Sequence, residues 1–174
     1  MKIKKIFLIC IVAIALSGCS SQKSKLDEAE MIYSDVLSDY LEAKRIIYDG
    51  TVEIGDELTD ISGSTYFIVE EEAYNNVSDI NVLLKQVFTD GYIEHELAWV
   101  TGGAAPLYKD IDGKLCIAMK DATWGSIANE IKEIIRLDEN ILEFIGQNED
   151  EKFKISLHND GGNWLIDNIE PIVE

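Results

Sequence analysis

The chain has 174 residues, with 15 Lys and Arg against 33 Asp and Glu, for a formal charge of −18. Apolar residues make up 47% of it, enough for one packed core, so disorder throughout is excluded. The acidity also excludes a nucleic-acid partner, because displacing counterions from phosphates requires a basic face.

The charge is uneven. Lys2, Lys4 and Lys5 open the chain and no acid accompanies them before residue 19, which leaves the remainder with 12 bases against 33 acids. Ile6 to Leu16 is an apolar run of eleven residues. A membrane-spanning helix needs about 20, so this run fits the hydrophobic part of a secretory signal instead. It leads into Leu16-Ser17-Gly18-Cys19. That tetrad resembles the bacterial lipobox, in which the chain is cut before a cysteine carrying a diacylglyceryl group. Small Ser17 and Gly18 admit the backbone to the processing enzymes, and only a thiol can form the thioether. The expectation is a signal peptide over 1–18, lipidation at Cys19, a polar tether over 19–25 and a single domain over 26–174. Six extended tether residues reach about 20 Å. Two acyl chains anchor stably where one is marginal, so the membrane is an expected partner. The expected location is the extracytoplasmic face of the cell membrane.

The spacing of Leu26, Ala29, Tyr33, Val36, Leu37, Tyr40, Leu41 and Ile47 predicts a helix from about Ser24 to Asp49. Ser24 is its expected cap, and Gly50 suits its end. Residues 51–64 read as a loop, punctuated by Gly55, Asp56, Asp60, Gly63 and Ser64. Thr65 to Val69 is β-branched and aromatic, hence a strand. A second helix is expected from Ser78, its cap, to Asp90, with Ile80, Leu83, Leu84, Val87 and Phe88 inward and Gly91 as terminator. Tyr92 to Trp99 reads as a short third helix with Ile93 and Leu97 inward.

From Leu107 the pattern is a meander of strands. Asp110 to Gly113 turns into a strand over Lys114–Met119, in which Cys116 reads as a small buried hydrophobe. With Cys10 removed and Cys19 lipidated, Cys116 is the last thiol, so no intrachain disulfide is expected. A reactive thiolate working with His95 or His158 would need an electropositive setting, which these apolar flanks do not provide. Ile127 to Leu137 suits a strand or a helix, and the turn at Asp138-Glu139-Asn140 favours a strand leading into Ile141–Ile145. Phe153, Ile155 and Leu157 alternate with polar residues, and Asn159 to Gly162 turns into Asn163–Ile169. The sum is an α+β domain: a long N-terminal helix and short helices on one curved antiparallel sheet, a cystatin-like or nuclear-transport-factor-like architecture.

No motif for catalysis stands out. Paired cysteines, histidines at helical spacing, a calcium loop, a phosphate loop and a nucleophile elbow are all missing, so no metal, cofactor or enzymatic activity is expected. Glu94-His95-Glu96 reads as a solvated patch. What remains is binding. An acidic surface attracts basic patches on a partner and speeds their encounter. The expected contact residues are Glu70, Glu71 and Glu72, together with Tyr108, Asp110 and Asp112, where flexible backbone, an aromatic ring and acids coincide. An alternative is a small-ligand binder, with Tyr66, Trp99, Trp124 and Trp164 lining an apolar cone between helix and sheet.

Four stretches taken together carry a resemblance. They are Ser62 to Val69, Val77 to Thr89, Tyr108 to Leu115 and Gly161 to Asp167. In this order they resemble the IseA-type D,L-endopeptidase inhibitor family, extracytoplasmic proteins of Gram-positive bacteria. The resemblance implies inhibition of cell-wall hydrolases of the NlpC class by occlusion of a Cys-His cleft that cuts peptidoglycan stem peptides. A cell-wall hydrolase would then be the protein partner. The lipobox departs from the family pattern, since such inhibitors need not be tethered.

Overall fold

The computed structural model describes the backbone of residues 3–49, 51–60, 62–118 and 127–173, with side chains from residue 23 onward in those segments. The expected α+β class is what the chain adopts. Helix α1 (Ile3–Ile47) precedes strands β1 (Ile54–Thr59) and β2 (Thr65–Val69). Helices α2 (Val77–Val87), α3 (Asp90–Glu96) and α4 (Ala98–Thr101) follow. Strands β3 (Tyr108–Ile111), β4 (Lys114–Ile117), β5 (Glu130–Leu137), β6 (Ile141–Asn148), β7 (Glu151–Asp160) and β8 (Asn163–Ile172) are the remaining elements among the described residues.

The strands form two sheets of four, not the one curved sheet expected. The first runs β1-β2-β4-β3 and the second is a plain meander, β5-β6-β7-β8, all antiparallel. The helical segment 77–101 interrupts the first sheet between β2 and β3, so the early strands close on one another before the meander begins. A single apolar cluster nevertheless joins both sheets to α1 and α2.

Helix α1 does not begin at Ser24. The backbone is helical from Ile3, and Ser20 to Lys25 contain no residue that breaks a helix. The tether is therefore coiled, and its length from Cys19 to Lys25 is about 9 Å, not about 20 Å. The inward face of α1 is also rotated slightly from the expected one. Ile32, Ala43 and Ile46 are buried, whereas Leu41 is 54% exposed. Gly50, the expected helix end, lies outside the described residues, as do Met119 and Trp124.

Residues 54–59, expected as loop, form edge strand β1. Its side chains are mostly exposed, so no apolar alternation marks it. Backbone pairing with β2, from Ile54 opposite Val69 to Thr59 opposite Thr65, holds it in place. The cap of α2 is Asn76, not Ser78. The Asn76 side chain accepts from Asp79 N at 3.2 Å, and Asp79 Oδ2 accepts from Asn76 N at 3.2 Å. That reciprocal pair satisfies two end groups of the helix at once, and Ser78, with Asn81 three residues on, has no acid to complete it. Gly91 does not terminate α2. Phe88 leaves the helix extended, bridging to Ile166, and Thr89 caps α3 by accepting from Tyr92 N at 3.2 Å, so Gly91 falls inside α3. Tyr92 and Leu97 are buried, and Ile93 is half-buried.

The strands at 65–69, 130–137, 141–148, 151–160 and 163–172 follow the sequence pattern. Asp110 and Ile111 belong to β3, leaving Asp112-Gly113 as the whole turn into β4. Both residues have positive φ, 51° and 76°, the geometry of a tight two-residue hairpin turn. Six of the seven tyrosines are buried. Three of their hydroxyls become internal fasteners: Tyr33 donates to Ala128 O, Tyr66 to Pro106 O at 3.3 Å, and Tyr108 to Ile46 O at 2.8 Å. Burial pushes the Tyr40 hydroxyl up to about 12 and raises Tyr33 and Tyr108 further.

One loop carries a concentrated set of hydrogen bonds. Asp60 Oδ1 accepts from Ser62 N at 2.8 Å, Ser62 Oγ at 2.6 Å and Ser64 N at 2.9 Å, and its Oδ2 accepts from Lys109 Nζ at 2.7 Å. The Lys109 ammonium, then these local donors, hold the Asp60 carboxyl well below its ordinary value of 3.8. A carboxyl with a depressed folded-state pKa stabilises the fold above its unfolded value and loses that contribution as pH falls toward the folded one. Asp60→Asn is therefore expected to melt below the parent at neutral pH. The gap should narrow as the pH is lowered from about 4 toward 2. Melting curves by circular dichroism across that range check it, and a gap constant with pH would show that the charge is not what matters.

Candidate functional site

The residues expected to make contacts meet different fates. Tyr108 is wholly buried on β3, with its hydroxyl spent on the end of α1, so it presents no surface to a partner. Burial, then the nearby Glu71 carboxylate, keeps that hydroxyl protonated. Glu71 binds the Arg45 guanidinium, which also holds Glu42 through Nε at 3.0 Å and Nη2 at 2.9 Å. Tyr74 donates to the same Glu42 at 3.0 Å. This cluster ties the segment after β2 to the last turns of α1, and the guanidinium holds Glu42 below the usual carboxylate range. Asp110 Oδ1 accepts from Val77 N at 3.0 Å, fastening β3 to the first turn of α2. Glu71 and Asp110 are thus committed to the fold.

Glu70, Glu72 and Asp112 remain exposed. Glu70 lies across Gly55, where its side chain fills the space a Cβ would take. Asp112 occupies the β3–β4 turn. Asp112 is close to Tyr108 in sequence, but the ring is buried within β3 while Asp112 sits exposed in the turn that follows it.

Cys116 is fully buried, as expected, and burial raises its thiol above the ordinary value. His95 and His158 are both exposed, as are Glu94 and Glu96. Among the described residues no group of His, Cys, Asp or Glu is placed to hold a metal ion, and no helix is long and apolar enough to cross a membrane. The aromatic residues offered for a cone are used differently. Tyr66 is 2% exposed and packed beneath Lys109, and Trp99 lies against Tyr48 with ring centroids 6.1 Å apart. Trp164 opens onto the surface.

Trp164 marks the feature that sequence reading missed. One flank of α1 and the turn between β7 and β8 enclose a groove of about 820 Å³. It continues past Met31, Ile32 and Trp164 into a second concavity of about 600 Å³ beside the β5–β6 turn. Met31 stands 64% exposed where the two meet, a large apolar side chain that the core does not use. Asp35 and Asp39 follow it at one-turn intervals on the same flank, and Asp160 faces them from the β7–β8 turn. Gly161 and Gly162, with φ of 62° and 107°, make that turn tight enough to keep Asp160 beside the groove. The spacing Met31-x₃-Asp35-x₃-Asp39 was visible in the sequence, but only the hairpin opposite turns a solvated stripe into one wall of a groove. The chain matches no protein-family model, and no curated protein matches it.

Proposed function

We propose that this chain is a lipid-anchored extracytoplasmic binding protein, held to the membrane through Cys19, that restrains cell-wall D,L-endopeptidases of the NlpC class without chemistry of its own. The observation that carries the reading is the tetrad Leu16-Ser17-Gly18-Cys19 behind a basic start and a short apolar run. The resemblance at Ser62–Val69, Val77–Thr89, Tyr108–Leu115 and Gly161–Asp167 supports the choice of partner. The acidic composition supports fast, salt-sensitive encounter with a basic surface. A coiled tether about 9 Å long keeps the domain close to the outer leaflet, within reach of enzymes working at the inner face of the wall.

Two measurements test the two halves. Labelled palmitate fed to cells making the chain is expected to appear on the parent protein and not on Cys19→Ala. An unlabelled parent removes the anchor. The purified chain in detergent is expected to slow peptidoglycan digestion by an NlpC-type domain, more strongly at low salt. Undiminished digestion at stoichiometric excess removes the inhibitor.

A further inference from the structure

We propose that the groove between α1 and the β7–β8 turn is a docking site for a cationic segment of a protein partner, one with Lys or Arg flanking an apolar side chain. This rests on the binding-protein reading only in taking a protein as the partner, and it places the contact away from the acids after β2.

The argument begins with what the groove leaves unused. Met31 is 64% exposed where the groove meets the second concavity, and the half-buried Trp164 lines the same stretch. An apolar side chain seated between them would remove both from water, and a thioether adapts to many shapes. The rim is charged and uncompensated. Asp35, Asp39 and Asp160 have no ion-pair partner among the described residues, whereas Glu71, Asp60 and Asp138 are each tied to a cation. Lys85, the cation on this rim, is already paired with Asp90 at 3.3 Å. The groove therefore offers an open apolar seat flanked by three free carboxylates, and the complement of that pattern is a cationic, amphipathic segment. Asp35 and Asp39 sit one helical turn apart, about 6 Å along α1, so two successive cations on one face of the segment can reach both. The same carboxylates repel anionic lipid headgroups and nucleic acid, and a second copy of this chain brings a charge of −18 against them.

The test uses the full chain in detergent and a fluorescein-labelled amphipathic peptide of Lys and Leu, followed by fluorescence anisotropy. Saturable binding is expected. Asp35→Asn with Asp39→Asn should weaken it about tenfold, and Met31→Gln, which removes the apolar seat without adding charge, by a similar factor. Glu70→Gln with Glu72→Gln changes the net charge equally at exposed sites elsewhere, and should weaken binding less than about twofold. All these positions are exposed, and far-ultraviolet circular dichroism verifies that each variant folds. Equal weakening by the two pairs would mean attraction to bulk acidity alone and would overturn the proposal. So would an unaffected Met31→Gln, or a parent chain that does not bind. The assay contains no hydrolase, so its failure removes the groove and leaves the inhibitor reading to its own test.

Discussion

Phe88→Ala is expected to be among the most damaging single changes in the molecule, lowering stability by about 3–5 kcal/mol. Phe88 is 1% exposed, and its ring stacks on Tyr92 at 5.0 Å and meets the edge of Tyr40 at 6.1 Å. It therefore joins α1, α2 and α3. Its backbone does a second job: it bridges to Ile166, and the next residue, Thr89, donates its N–H to Ile166 O at 2.9 Å. Truncating the ring removes apolar burial and leaves a cavity where the helices meet the second sheet, a junction that cannot collapse without moving β8. For a domain of this size the loss corresponds to a fall in melting temperature of roughly 6–20 °C. Leu41→Ala is the control. Leu41 reads as inward by periodicity but is 54% exposed, so its loss should cost under about 1 kcal/mol. Urea unfolding of the two variants decides the matter, and comparable losses would mean that the helix presents a different face to the core.

Gly146→Val comes next, and its expected sign is opposite to that of propensity. A glycine inside a strand normally weakens it, so valine on an open strand would be a gain of up to about 1 kcal/mol. Gly146 lies within β6, opposite Ile131 of β5 and Phe153 of β7. A Cβ there would overlap that of Ala128 and stand 3.1 Å from both the Glu130 carbonyl oxygen and the Phe144 ring. None of these is the free end of a flexible side chain, so strain replaces the gain, and a loss of about 1–3 kcal/mol or more is expected. Ala128→Gly combined with Gly146→Ala should recover part of the cost of Gly146→Ala alone, the signature of two groups competing for one space. A Gly146→Val protein as stable as the parent by urea unfolding would show that the strand yields there.

The places where sequence reading succeeded and failed share a physical cause. β7 was legible because Phe153, Ile155 and Leu157 alternate with polar residues, and all three are buried. The pattern over Ile127–Leu137 suits a helix as well as a strand, and the adjacent turn at Asp138 favours the strand that forms, β5. That turn is held by Asp138 Oδ1 accepting from Asn140 N and Ile141 N, each at 3.0 Å. β1 was illegible because it carries almost no buried side chain, and backbone pairing alone makes it a strand. The candidate contact residues failed for a related reason. Tyr108, Asp110 and Asp112 are adjacent in sequence, but the ring is buried with its hydroxyl on Ile46 O, and Asp110 is drawn off to the first turn of α2. In sequence Glu71 is one acid in a run of three, and only the fold brings Arg45, 26 residues earlier, to hold it.

Local chemistry alone decided the class, most of the strands, the inward stripe of α2 and the burial of Cys116, because periodicity and composition act over a few residues at a time. Tertiary structure decided that the strands divide into two sheets, which acids are consumed as fasteners and which stay free, and that Met31 and Trp164 line one open groove. Those outcomes depend on which distant segment lies opposite, a relation that no local window contains.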